Sequence, residues 1–273
     1  MALPRPDRRT LLAGIGAVWL AGCGSSSTHD QEDDDVDDRI SYGADPSQWV
    51  DVREPSGASR GVVVVIHGGF WKAEYGADLG VPLAEDLAGR GWTSANVEYR
   101  RVGNGGGFPE TLDDIHHALG VLAGMTTGPV VTLGHSAGGH LATWAAARGR
   151  FERWAGGVEV THVVSQAGVV DLRATVEQHL GGDAALAFLD DADAATYEQA
   201  DPLTQVPLDV PAWLVHARDD DTVPFAQATT YVDAATAAGA DATLVEVTGG
   251  HFGVIDPTAD AWAACVAVLD SIA

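Results

Sequence analysis

Within a chain of 273 residues, a few short segments carry side chains suited to acyl transfer. Gly134-His135-Ser136-Ala137-Gly138-Gly139 has the pattern G-x-S-x-G and directly follows the apolar run Val130-Val131-Thr132-Leu133. A serine on so sharp a strand-to-helix turn is held in a strained backbone conformation, and the residues two away on both sides must be small. The turn lifts Oγ above the sheet and aims the start of the next helix at a developing negative charge. The backbone N–H of Ala137 then becomes a donor to the oxyanion. Upstream, His67-Gly68-Gly69-Phe70-Trp71 closes another apolar run. Its glycines let backbone N–H groups approach a carbonyl oxygen and complete an oxyanion hole.

A serine hydroxyl needs a base, and the base needs an orienting carboxylate. In this architecture the chain order is Ser, acid, His. Arg218-Asp219-Asp220-Asp221-Thr222-Val223-Pro224 follows one strand-like segment and Gly249-Gly250-His251-Phe252 follows another. His251 is the one histidine after residue 216 and is assigned as the base. Position alone leaves Asp219, Asp220 and Asp221 open as the acid. His67, His116, His117, His140, His162 and His179 read as turn, surface or core residues. Phe70, Trp71, Tyr75 and Phe108 flank the site in sequence and are expected to line an apolar substrate pocket. The loop Gly103-Asn104-Gly105-Gly106-Gly107 has no lysine and opens no helix, so it does not suit phosphate. No H-E-x-x-H or Cys/His cluster points to a metal, and no cofactor is expected.

The elements that must hold these residues alternate along the chain. Gln48–Arg53 and Gly61–His67 are predicted strands, joined by the turn-rich segment 54–60 as a hairpin. Val62-Val63-Val64-Val65-Ile66 is apolar on both faces, which predicts a central strand covered by helices. Helical spacing over Leu79–Arg90, strand 93–99, helix Pro109–Leu122, strand 130–133, helix Gly138–Ala147 and strand 161–165 follow. Residues 170–205 break the rhythm and read as a small helical insertion over one end of the sheet. Strand Ala212–His216, helix Phe225–Ala238, strand Ala242–Val247 and a helix from Thr258 restore it. A single-domain α/β fold with a doubly wound, mostly parallel sheet is expected over 41–273. Cys265 falls in an apolar helical stretch and is expected in the core.

These motifs together resemble the α/β-hydrolase fold, and within it the esterase and arylformamidase branch, over about residues 42–273. His67-Gly68-Gly69-Phe70-Trp71 is similar to the HGGxW motif of kynurenine formamidases. The resemblance implies Gly69 and Phe70 as oxyanion donors beside Ala137. Gly134–Leu141 looks like the serine elbow of the same branch. The family pattern D-x-x-V-P around the acid selects Asp220, three residues before Val223-Pro224. The implied activity is hydrolysis of a small-molecule carboxylic ester or aryl formamide by Ser136, His251 and Asp220 through an acyl-enzyme. A serine peptidase of the same fold and a non-catalytic surface-anchored binding protein are the rival readings.

The N-terminal segment is of another kind. Arg5, Arg8 and Arg9 precede an apolar run over 11–21, then Gly22 and Cys23. That run is too short for a bilayer, which needs about twenty residues, and has the make-up of an export signal. Leu20-Ala21-Gly22-Cys23 resembles a lipobox, and Arg8-Arg9-Thr10-Leu11-Leu12 resembles a twin-arginine signal with Asp7 in place of the usual Ser/Thr. The expectation is a signal peptide over 1–22 and a lipid-anchored acidic tether over 23–40. The protein would then act outside the cell, held to the membrane through Cys23. Removing 1–22 takes away three arginines and one aspartate, changing the net charge from −24 to −26. With 39 acidic against 15 basic residues there is no footprint for phosphate, which excludes nucleic acid as a partner. Lys72 is the sole lysine, a balance that fits either a high-salt habitat or GC-rich coding.

Overall fold

The computed structural model describes residues 39–125, 128–190 and 193–273. The signal segment 1–22, Cys23 and nearly all of the tether lie outside them. Strands and helices alternate as β1 (Arg39–Ser41), β2 (Trp49–Arg53), β3 (Val62–Ile66), α1 (Val81–Gly89), β4 (Thr93–Glu98), α2 (Glu110–Val121), β5 (Val130–His135) and α3 (Ala137–Ala147). They continue as β6 (His162–Gln166), α4 (Leu172–Glu177), α5 (Ala184–Leu189), α6 (Ala194–Ala200), β7 (Ala212–Ala217), α7 (Ala226–Ala237), β8 (Ala242–Val247) and α8 (Asp260–Ile272). The eight-stranded sheet has the order β1-β2-β4-β3-β5-β6-β7-β8. β1 and β2 are antiparallel to their neighbours, and every pairing from β4 to β8 is parallel.

The run Val62–Ile66 occupies the interior because neither of its faces tolerates water. Val62, Val64 and Ile66 enter a core with α2 and α3, while Val63 and Val65 enter the opposite core with α1 and α8. The period of two along the strand thus divides one apolar run between two helical layers. Cys265 is fully buried in the second layer.

Two expectations change. The hairpin between β2 and β3 is not formed, because β4 lies between them and pairs with both. Residues 54–61 cross the start of β4 instead, where the Thr93 hydroxyl lies 2.9 Å from both the Glu54 carboxylate and the Ser59 hydroxyl. The folded sheet also begins before residue 41, since Arg39 and Ile40 pair with Asp51 and Val50.

The insertion over 170–205 holds α4, α5 and α6 and is rooted in the first core through Leu172, Ala184, Ala185, Phe188, Leu189 and Ala200. Trp144 on α3 donates to the Gln199 carbonyl at 2.8 Å, and His140 contacts the Ala200 carbonyl at 2.8 Å.

Candidate active site

Ser136 stands between β5 and α3 with φ 56° and ψ −118°, a conformation that costs a non-glycine residue about 1–3 kcal/mol. Its N–H donates to the Gln166 carbonyl at 2.9 Å, and its carbonyl accepts from Gly139 at 2.9 Å. The small residues of the motif have steric reasons. A Cβ on Gly134 would lie 2.0 Å from the Gly138 oxygen, and one on Gly138 would lie 2.0 Å from the Ile66 oxygen. Backbone from β3, β5 and α3 converges there with no space for a side chain, and the elbow is the shape that remains.

At the ends of β7 and β8, Asp220 and His251 meet. Nδ1 of His251 lies 2.8 Å from Oδ2 of Asp220, and both side chains are buried. The other oxygen of Asp220 accepts from the N–H groups of Thr222 and Val223, each at 2.8 Å. Burial alone would raise the carboxyl. The hydrogen bonds from His216, His251, Val223 and Thr222 outweigh it and hold Asp220 well below the usual carboxylate range. Asp219 and Asp221 are exposed and do other work: Asp219 accepts from the Gly249 N–H at 3.2 Å, and Asp221 from the Thr222 hydroxyl at 3.2 Å. Of the three adjacent aspartates, Asp220 alone reaches His251.

Two histidines not assigned from sequence support this pair. Nε2 of His216 lies 3.2 Å from the same Asp220 oxygen and 3.0 Å from the Val223 carbonyl. Its position at the end of β7, four residues before Asp220, was the available signal. Nε2 of His135 lies 2.9 Å from the His251 carbonyl oxygen, and the two rings are 4.5 Å apart. Since a carbonyl only accepts, that nitrogen of His135 carries the proton. Burial first, and then the neighbouring His251, lower His135 to about 3. It stays neutral while tying the serine elbow to the His251 segment.

The HGGFW segment turns above β3 with Gly69 at φ 106° and both Phe70 and Trp71 at φ 54°. Among the described residues, no protein group accepts from the N–H of Gly69, Phe70 or Ala137. A Cβ on Gly68 would lie 3.1 Å from Cβ of Ser136, so this loop runs directly beside the elbow.

The expected pocket residues part company. Trp71 is fully buried, stacked 4.9 Å from Phe188 with its Nε1–H donating to His140 at 3.2 Å. It is core and not pocket wall, because its ring is enclosed by the first helical layer between Phe188 and His140. Phe108 is half-buried, edge-on to Trp154 at 6.5 Å, with its N–H bonded to the Phe188 carbonyl. Tyr75 remains 44% exposed and packs against Gly69, where an added Cβ would meet its ring at 2.4 Å. Phe252, unassigned from sequence, is 65% exposed and 5.1 Å from the His251 ring. Phe70 packs on Gly181 of the insertion, and Lys72 donates to the Gly181 carbonyl at 2.8 Å.

Residues 50–234 match the model of the BD-FAE family. The chain belongs to that family. A curated relative, described as a probable carboxylic ester hydrolase LipM from Mycobacterium tuberculosis, is 30% identical over 262 residues. The match takes in 84% of this BD-FAE chain but spans only 59% of the relative's length. Among solved structures, esterase B from Lactobacillus rhamnosis superposes with a TM-score of 0.72 at 23% identity, covering 86% of this chain and 83% of that one. The thermophilic esterase Est2 from Thermogutta terrifontis gives 0.67 at 20% identity, covering 85% of this chain and 92% of that one. A bifunctional GH43-CE protein from Bacteroides eggerthii gives 0.73 at 20%, covering 86% of this chain and 37% of that one. The BD-FAE chain therefore has the α/β-hydrolase fold of these esterases.

Proposed function

We propose that this protein hydrolyses a carboxylic ester by nucleophilic catalysis at Ser136. The observation that carries the reading is the pairing of buried His251 with a carboxylate, Asp220, that four hydrogen bonds keep ionised, on a segment tied to the serine elbow through His135. Asp220 holds the proton of His251 on Nδ1 and leaves Nε2 bare to accept the Ser136 proton. Ser136 Oγ then bonds to the substrate carbonyl carbon. The oxyanion receives the N–H groups of Gly69, Phe70 and Ala137, each worth about 2.7–4 kcal/mol in a water-excluded site. Collapse of the tetrahedral intermediate expels the alcohol, which takes the proton from His251. Water, deprotonated by His251, cleaves the acyl-enzyme and restores Ser136. The ester-hydrolase relative supports this chemistry at the level of bond type.

The test is turnover of p-nitrophenyl acetate and N-formylkynurenine by residues 39–273, beside the Ser136→Ala variant. Ester turnover that disappears in the variant supports the reading, and turnover of the formamide as well extends it to arylformamidase chemistry. A folded wild type no better than Ser136→Ala on either substrate overturns it. We further propose that the enzyme works outside the cell, anchored by acylated Cys23. Metabolic labelling with a fatty acid, lost in Cys23→Ala, tests that placement.

A further inference from the structure

A buried ion pair that the proposed chemistry does not use stands behind the oxyanion loop. Glu98, ending β4, and Arg101 are 6% and 5% exposed and bond to each other through NH1 of Arg101. That same NH1 lies 3.2 Å from Nε2 of His67. On the other side of the ring, Nδ1 lies 2.8 Å from the Gly68 carbonyl oxygen. A guanidinium offers donors only and a carbonyl accepts only. Both contacts therefore require one tautomer, with Nε2 bare and the proton on Nδ1. Burial lowers His67 to about 3 against the opposing Gly68 bond, and the Arg101 charge adds to the lowering, so the ring is neutral.

The consequence reaches the next peptide. The Gly68 carbonyl and the Gly69 N–H belong to one planar trans unit and point to opposite sides. Holding the carbonyl fixes where the N–H aims. That peptide adjoins the nucleophile, since a Cβ on Gly68 would lie 2.7 Å from the His135 oxygen as well as close to Ser136. Tyr99 stacks on the back of the His67 ring at 4.4 Å and donates its hydroxyl to the His67 carbonyl at 2.8 Å. The glycine-rich loop folds back over the pair, with Gly106 N–H donating to the Arg101 carbonyl at 2.8 Å. Among the described residues, Nε of Arg101 has no hydrogen-bond partner. Glu98 is satisfied, its second oxygen accepting from the Ala77 N–H at 2.6 Å, and the unmet donor lies on Arg101. A buried ion pair is in any case a weak source of stability, since apolar residues of similar volume often pack as well.

We infer that Arg101 is a positioning residue, which with Glu98 selects the His67 tautomer that grips the Gly68 carbonyl and so aims the Gly69 N–H at the oxyanion. The inference rests on the oxyanion role proposed for Gly69. The testing variant is Glu98→Gln/Arg101→Met, because Arg101→Met alone leaves a charged Glu98 buried without its partner. The first readout is the 15N imidazole spectrum of His67 in the resting protein. The expected result is the Nδ1–H form in wild type and a mixture of tautomers in the double variant. The second is ester hydrolysis, where the folded double variant should lose about tenfold or more in kcat with KM within about twofold, a partial loss of one oxyanion donor. In a His67→Asn background, whose amide still donates to Gly68, the double variant should cause no further loss. An Nε2–H tautomer in wild type, or an unchanged kcat in the folded double variant, overturns the inference. Absence of turnover by wild type overturns the ester-hydrolase reading instead, and the tautomer measurement is unaffected by it.

Discussion

Asp220→Asn should abolish most activity while leaving the fold intact, and the hydrogen bonds around the carboxylate give the reason. One carboxylate oxygen accepts two backbone N–H groups, from Thr222 and Val223. The other faces Nδ1 of His251 at 2.8 Å and Nε2 of His216 at 3.2 Å. An asparagine must keep its oxygen on the two amides, since reversing it would set an NH2 group against two N–H donors. Its NH2 then faces the histidines. His251 can accept that donor only by giving up the Nδ1 proton, which moves to Nε2, and the nitrogen meant to take the Ser136 proton is already occupied. The same substitution in a Ser-His-Asp hydrolase costs about 10⁴ in kcat, or about 5.4 kcal/mol of transition-state stabilisation at 1.36 kcal/mol per tenfold. The assay is kcat/KM on p-nitrophenyl acetate with a thermal melt beside it. KM should change little, because the loss lies in proton transfer and not in binding. A folded Asp220→Asn enzyme keeping a tenth of wild-type kcat would refute the assignment of Asp220 and the tautomer argument together.

Other perturbations separate packing from chemistry. Asp201 is 1% exposed, with one oxygen unpartnered among the described residues, and burial raises it to about 6 against the backbone hydrogen bonds of Leu172 and Leu203. The native state therefore binds this proton more tightly than the unfolded chain, and wild-type stability falls as pH rises from about 4 to about 6, by about 3 kcal/mol. Asp201→Asn does not titrate, so chemical denaturation at pH 4 and pH 7 should show the variant gaining about that much on wild type; a gap independent of pH would sink the argument. Gly138→Ala forces a Cβ to within 2.0 Å of the Ile66 oxygen and 2.5 Å of the His67 oxygen. It should cost about 3 kcal/mol or more by thermal melt and should distort the elbow enough to remove turnover. Trp71→Phe keeps a ring over Phe188 but opens a cavity and leaves the buried Nδ1 of His140 without its donor, so it should cost about 2–4 kcal/mol. Because Trp71 is core, the ratio of KM values for short and long acyl esters should match wild type.

What the amino-acid sequence revealed about this protein divides by whether the determinant is local. The serine elbow was legible because its glycines answer to clashes within one strand-turn-helix unit. The burial of β3 was legible because five consecutive apolar residues leave no face for water. Strand adjacency was not. Segment 54–60 is short enough for a hairpin, and only the insertion of β4, contacted by Glu54 and Ser59, decides otherwise. Trp71 differs from expectation for a related reason, since spacing placed it beside the site but contacts from α3 and the insertion, with His140 and Phe188, enclose its ring.

The choice among Asp219, Asp220 and Asp221 lay beyond spacing and needed a family pattern. The geometry makes the physical basis plain: Asp220 alone is buried, and burial makes a carboxylate useful to a histidine only when other donors keep it charged. The same logic hid Arg101 and Glu98. In a chain with 39 acidic residues a Glu–Arg pair three apart reads as a solvated surface feature, and nothing local shows that both are buried. Residues that touch the reacting atoms sit in short motifs because the turn that presents them imposes their neighbours. Residues that aim them are chosen by distant parts of the chain, which is why the proposed base and nucleophile could be named from spacing while His216, His135 and the ion pair behind Gly69 emerged only from the fold.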